Sequence, residues 1–137
     1  MSEKAVILVD REIPLGFLAN AVAVVSFSLG QAVDRICGGE VNDADGNLYR
    51  GVIHVPLPVL AATAPRMSQI REKIRSKGFL EVVAVDFTAQ AQRPQTYEAY
   101  SEVMAGTLAG DIVHRTLALY GPRNLIDKLT GNLPLLR

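Results

Sequence analysis

The run KAVILV, Lys4 to Val9, constrains this chain more than any other stretch. Its β-branched and aliphatic residues do not alternate with polar ones, so the strand they form needs cover on both sides. Such a strand sits inside a sheet with helices on its two faces. Pro14 and Gly16 break the backbone after it. FLANAVAVVSFSLGQAVDRI, from Phe17 to Ile36, then reads as a helix that is apolar nearly all round, ended by Gly38 and Gly39. A helix like that is covered on two sides, by the sheet and by a second subunit.

The remaining elements follow from punctuation and period. GEVNDADGNLYRGVIHVPL is a hairpin-like excursion that turns at Asp45-Gly46, with YRGVIHV as the second core strand. APRMSQIREKIRSKG is the clearest helix, with Pro65 near its start, Met67, Ile70 and Ile74 on one face, and Gly78 as its stop. FLEVVAVDF is a third strand. AQAQRPQTYEAYSEVMAGTLAG is a linker and a helix, HRTLALYG a fourth strand, PRNLIDKLTG a last helical turn or two, and NLPLLR a tail. Strands separated by helices predict an α/β fold with a mostly parallel sheet. At 137 residues the chain is expected to form a single domain, 1–137.

Charge and cysteine content remove several classes. Fourteen Lys and Arg balance fourteen Asp and Glu, so there is no global field for nucleic acid or a membrane. No apolar stretch free of polar interruption reaches the roughly 18 residues that span a bilayer, and MSEKAV is not a secretory signal. The lone Cys37 forms no internal disulfide and fits a reducing, cytoplasmic setting. There is no Rossmann glycine pattern, phosphate-cradling Gly-Lys-Ser/Thr loop or nucleophile elbow, and no metal or cofactor is expected.

The candidate chemistry lies at strand ends, where open α/β sheets bind ligands. Asp10, with Arg11 and Glu12, follows the first strand; solvated loop residues would look the same. Asp86 ends an apolar strand, where partial desolvation would raise its pKa and suit it to acid or base work. The bland reading is a carboxylate accepting bonds from loop amides. His114 opens the fourth strand and is a base by type, although a hydrogen-bonded or exposed histidine has the same signature. Asp86 and His114 are the catalytic candidates. Asp10, Asn20, Thr88 and Arg93 are the ligand-binding ones. NDADGNL hints at a calcium loop but fails, since Val41 and Val52 occupy the first and closing ligand positions. RMSQIREKIRSK carries five cations, Arg66, Arg71, Lys73, Arg75 and Lys77, against Glu72. Without aromatic interleaving it reads as a solvated face more than an RNA surface. Tyr97 and Tyr100, three apart, suit a pocket wall, a dimer contact or plain packing on the sheet.

Two stretches carry a family resemblance. ALYGPRNLIDKLTGNLPLL, Ala118 to Leu136, resembles the C-terminus of type 2 peptidyl-tRNA hydrolases, matching at Gly121, Pro122, Ile126, Asp127, Lys128, Thr130, Gly131 and Leu133. At the N-terminus Glu12-Ile13, Leu15 and Ala21 match in outline, and Asp86 matches the aspartate of the family's second loop. The family's catalytic Lys, however, falls at Ala19, its Gln at Ala23 and its His at Ser26. Taken whole, with IPLGFLANAVA, DADGNLYRG and AQAQRPQTYEAY, the chain is similar to the domain-of-unknown-function 2000 family. That resemblance implies a three-layer α/β/α fold with a four-stranded mixed sheet, like that of the type 2 hydrolases, and no established activity. The expectation is a retained pocket between the first and third strand ends, near Asn20 and Asp86, that binds a small anionic ligand or a partner without hydrolysing peptidyl-tRNA. The alternatives are a hydrolase working through Asp86, with His114 or Arg93 in support, and a structural homodimer.

Overall fold

The computed structural model describes residues 2–137. Its main sheet has four strands in the order β4-β1-β6-β5, built from β1 (Glu3–Val9), β4 (Val59–Ala61), β5 (Val83–Thr88) and β6 (His114–Pro122). β1 runs parallel to β4 and antiparallel to β6, and β5 is antiparallel to β6. The sheet is therefore mixed, with one parallel pair, and the mostly parallel expectation is corrected. Helices do separate these strands, but β6 enters between β1 and β5 against the direction of both.

Four helices flank the sheet: α1 (Leu15–Ala32), α2 (Ala64–Lys77), α3 (Tyr97–Ala105) and α4 (Arg123–Thr130). KAVILV behaves as its composition requires, with Ala5 to Val9 fully buried. Val6 and Leu8 join Leu117, Leu119, Met67, Ile70 and Ile126 in a core under α2 and α4. Ala5 and Ile7 join Ala118, Val25 and Leu29 in a second core under α1. Alternation along a strand divides one apolar run between two cores. The C-terminal motif serves this packing. Ile126 is fully buried, Thr130 Oγ1 donates to the Ile126 carbonyl at 2.7 Å, and Lys4 Nζ donates to Asp127 Oδ1 at 2.7 Å. Gly121 lies where a Cβ would stand 3.1 Å from the Glu81 carbonyl oxygen.

α2 matches its sequence signals. Thr63 caps it by accepting from Arg66 N at 3.2 Å, and Gly78 closes it in the left-handed region at φ 64°. α1 stops at Ala32, short of Gly38, because Val33 turns extended and Arg35 takes φ 57°. Ala21, Val25 and Leu29 form its buried stripe, while Phe17 and Phe27 stand 59% and 85% exposed. These 18 residues have a mean hydropathy of 1.5, long and apolar enough to cross a membrane by length and composition, and 17% of them are buried in the fold.

The second core strand also differs from expectation. YRGVIHV stays outside the sheet: Leu48–Tyr49 (β3) pairs with Val41–Asn42 (β2) in a two-stranded hairpin, and Val52 is exposed. The core strand comes later, in VPLPVLA. There the Pro56 and Pro58 carbonyls accept from Ala5 N and Ile7 N at 3.1 and 3.0 Å. Proline keeps its carbonyl, so it can pair at a sheet margin although it cannot donate.

Candidate functional site

A cavity of about 840 Å³ opens beside β5. α1 flanks it with Val24, Val25 and Ser28, α2 with Arg71 and Arg75, and α3 with Tyr97, Tyr100 and Met104. Residues Ala84 to Thr88 form its long wall.

Its polar centre is Asp86. Strand alternation places this residue opposite Leu117, on the face that carries α2. Arg71 Nε donates to both carboxylate oxygens at 3.2 Å. His114 would fall on the other face if β6 kept its register. Between Phe87 and Thr88, however, the pairing moves two residues along β6 for one along β5, so Arg115 is an extra, bulged residue. The bulge turns His114 toward Asp86, and Nε2 lies 2.7 Å from Oδ2. His114 is 4% exposed and the Asp86 side chain 22%.

Burial pushes the Asp86 carboxyl up, but the His114 hydrogen bond and the Arg71 charge outweigh it and hold the group below the usual carboxylate range. This corrects the expectation of a raised pKa. Asp86 is a fixed anion that accepts from His114 Nε2–H, which leaves Nδ1 as the ring nitrogen free to pair with something else. Nδ1 is buried and has no partner among the described residues. Burial, then Tyr97 and the Asp86 charge, raise the Tyr100 hydroxyl above its ordinary range, so it remains protonated. Tyr97 and Tyr100 meet edge to face at 5.5 Å. α3 has no buried residue, so packing on the sheet does not account for the pair.

The other candidates disperse. Thr88 is fully buried in the same wall, with Oγ1 3.8 Å from Met104 Sδ. Arg93 lines a neighbouring depression with Gln90, Ala99 and Val103. Asp10 accepts from Glu12 N at 3.0 Å and lines another depression with Arg66. Asn20 is exposed on α1 and does not line the β5 cavity, so the expected placement between Asn20 and Asp86 is corrected. Arg71 was the residue that sequence reasoning placed on a solvated face. Its signal was its position next to Ile70 and four residues from Met67, at the border of the buried stripe. The basic face as a whole is partly spent, since Arg66 bonds Asn132, Arg71 bonds Asp86 and Arg75 bonds Glu72. No cluster of three metal-ligating side chains occurs among the described residues.

Fold and site together define a small α/β protein with helices on both faces of a four-stranded mixed sheet and a cavity along one outer strand that carries Asp86, Arg71, Arg75 and His114. The chain belongs to the DUF2000 family, proteins of unknown function, whose model matches residues 3–137. It is similar in structure to the protein of unknown function Atu0240 from Agrobacterium tumefaciens strain C58, with a TM-score of 0.87, 16% identity, and coverage of 100% of this chain and 99% of the other. At that identity the likeness concerns the fold. No curated protein matches the sequence.

Proposed function

We propose that the protein binds a small anionic ligand in the β5 cavity, on a fold like that of type 2 peptidyl-tRNA hydrolases, and does not hydrolyse peptidyl-tRNA. One observation carries the reading. His114 is pinned through Nε2 on an ion-paired carboxylate in the cavity wall, and its buried Nδ1 has no hydrogen-bond partner among the described residues. A buried polar atom without a partner costs about 1–3 kcal/mol, and a ligand group that pairs with it removes that cost. The charged side chains of the lining are two guanidiniums and one carboxylate, which favours an anion. The positions that match the hydrolases' Lys, Gln and His hold Ala19, Ala23 and Ser26. The methyl groups of Ala19 and Ala23 neither move protons nor stabilise an oxyanion, and the Ser26 hydroxyl is not a base at neutral pH as an imidazole is.

The test is thermal shift and calorimetry with inorganic phosphate, small carboxylates and nucleoside monophosphates. A bound anion should lose at least about tenfold in affinity in His114→Ala and in Arg71→Gln. Unaltered affinity in both variants would remove the reading. The hydrogen-bonded Asp86–His114 pair also favours a second reading, hydrolysis through these two residues. Peptidyl-tRNA cleavage that disappears in Asp86→Asn would establish it in place of the first. We further infer a homodimer through the outer face of α1, where Phe27 is 85% exposed on a helix without a charged residue. Light scattering of Phe27→Glu should show a monomer, and a wild type that is already monomeric at high concentration removes the inference.

A further inference from the structure

The sheet ends in two outer strands, and the chain treats them differently. The outer side of β4 is taken by the C-terminal tail. Ala61 N donates to the Pro134 carbonyl at 2.8 Å, Leu136 N to the Val59 carbonyl at 2.9 Å, and Leu60 stands opposite Leu135. An extended segment of this very chain thus completes one margin. The outer side of β5 is paired with no segment among the described residues. The cavity runs along it instead, and successive residues from Ala84 to Thr88 all line it. Alternate peptide groups of an outer strand project their N–H and C=O sideways, here into the cavity.

A strand added there would lie about 4.8 Å from β5, and its side chains would alternate between the two flanks. The flanks differ in chemistry. Exposed Val24 of α1 stands on one, and Arg71 and Arg75 of α2 stand on the other, with Asp86 held by Arg71. We propose that the occupant of this cavity is an extended peptide segment of a partner protein, with alternating apolar and acidic side chains, that adds to β5 as a fifth strand. The proposal rests on reading the cavity as an anion-binding site and names the class of its occupant. Main-chain hydrogen bonds supply affinity in such additions, and alternate side chains supply selectivity. Acidic side chains of one row meet Arg75 and the terminal nitrogens of Arg71, whose Nε is the atom held by Asp86. Arg75 is tied to Glu72 in an exposed i,i+3 pair, which an incoming carboxylate displaces easily. Apolar side chains of the other row cover Val24, which is 41% exposed.

The probe is a fluorescein-labelled, N-acetylated peptide alternating Val and Glu, of the six-residue length of β5, followed by fluorescence anisotropy with the full chain. It should bind at least about tenfold more tightly than the same peptide with Lys for Glu, and Arg75→Glu should reverse that preference. N-methylation of one set of alternate peptide amides should abolish binding, while methylation of the other set leaves it intact. Hydrogen exchange of the β5 amides should slow on binding. Equal tolerance of both methylation sets, equal affinity for the Lys peptide, or no binding of the Val/Glu peptide overturns the proposal. If inorganic phosphate still shifts the melting temperature of the wild type in that case, the anion-site reading stands alone. If neither probe binds, both readings fall together.

Discussion

Two aspartates of this protein are held ionised, and they teach opposite lessons. Asp43 organises the NDADGNL turn. It accepts from Asp45 N and Asn47 N at 2.9 Å, from Asn47 Nδ2 at 3.0 Å and from Tyr49 Oη at 2.8 Å. Asn47 is the main reason its pKa falls to about 2. All its partners lie within six residues, and the network is closed at the surface. Asp86 gathers partners 15 and 28 residues away, on α2 and β6. Its network ends on an unsatisfied nitrogen in a cavity wall. A depressed carboxylate alone does not mark a functional site. What separates the two is whether the hydrogen-bond chain closes on itself.

The largest test of that contrast is Asp86→Ala. It strands a guanidinium and an imidazole that share one anion, and should cost about 3 kcal/mol in urea unfolding. Asp43→Ala should leave the global midpoint nearly unmoved and speed amide exchange across Val41–Tyr49, because only the hairpin depends on it. Equal losses from the two would break the comparison. A smaller effect sharpens it. Gly51 packs so closely on the Gly38 carbonyl that a Cβ there meets backbone. Gly51→Ala should therefore cost about 1–2 kcal/mol in the same assay. If so, the loop that carries the Asp43 turn is anchored by close backbone contact, in contrast to the charge network at Asp86. A neutral result would mean that residues 38 and 51 separate without consequence.

The sequence made parts of this readable and hid others for physical reasons. KAVILV and the Met67, Ile70, Ile74 stripe stood out because burial requires apolar residues at fixed periods, whatever surrounds them. The third and fourth strands were legible on the same ground. The second core strand was missed because two prolines mask it, and its pairing depends on which margin of the sheet it occupies. The direction of β6 carries no local signature. The Asp86–His114 pair was half legible: each residue ends or begins a strand, but their contact needs the bulge at Arg115, a tertiary feature. Arg71 was hidden for the opposite reason, as one cation among five on a helix where cations are ordinary.

The smallest expected effect lies in acid, and it sets the two aspartates side by side. Both have folded pKa values below the ordinary 3.8. Each therefore contributes stability that is fully present above the unfolded pKa and is lost as pH falls through the folded value. For Asp43 the window runs from 3.8 down to about 2. Protection of the Val41–Tyr49 amides should fall across it, and Asp43→Asn should lower that protection at neutral pH and remove its pH dependence, while the global urea midpoint barely moves. For Asp86 it is the wild-type urea midpoint that should fall in acid, and Asp86→Asn should lower the neutral-pH plateau and so flatten that fall, because Arg71 then lacks its counter-charge. Carboxyl carbon titration by NMR would assign each step to its residue. If Asp86→Asn left the urea midpoint as unmoved as Asp43→Asn does, Asp86 would be a local carboxylate of the same kind as Asp43, and the orphaned His114 nitrogen would lose its claim to a ligand.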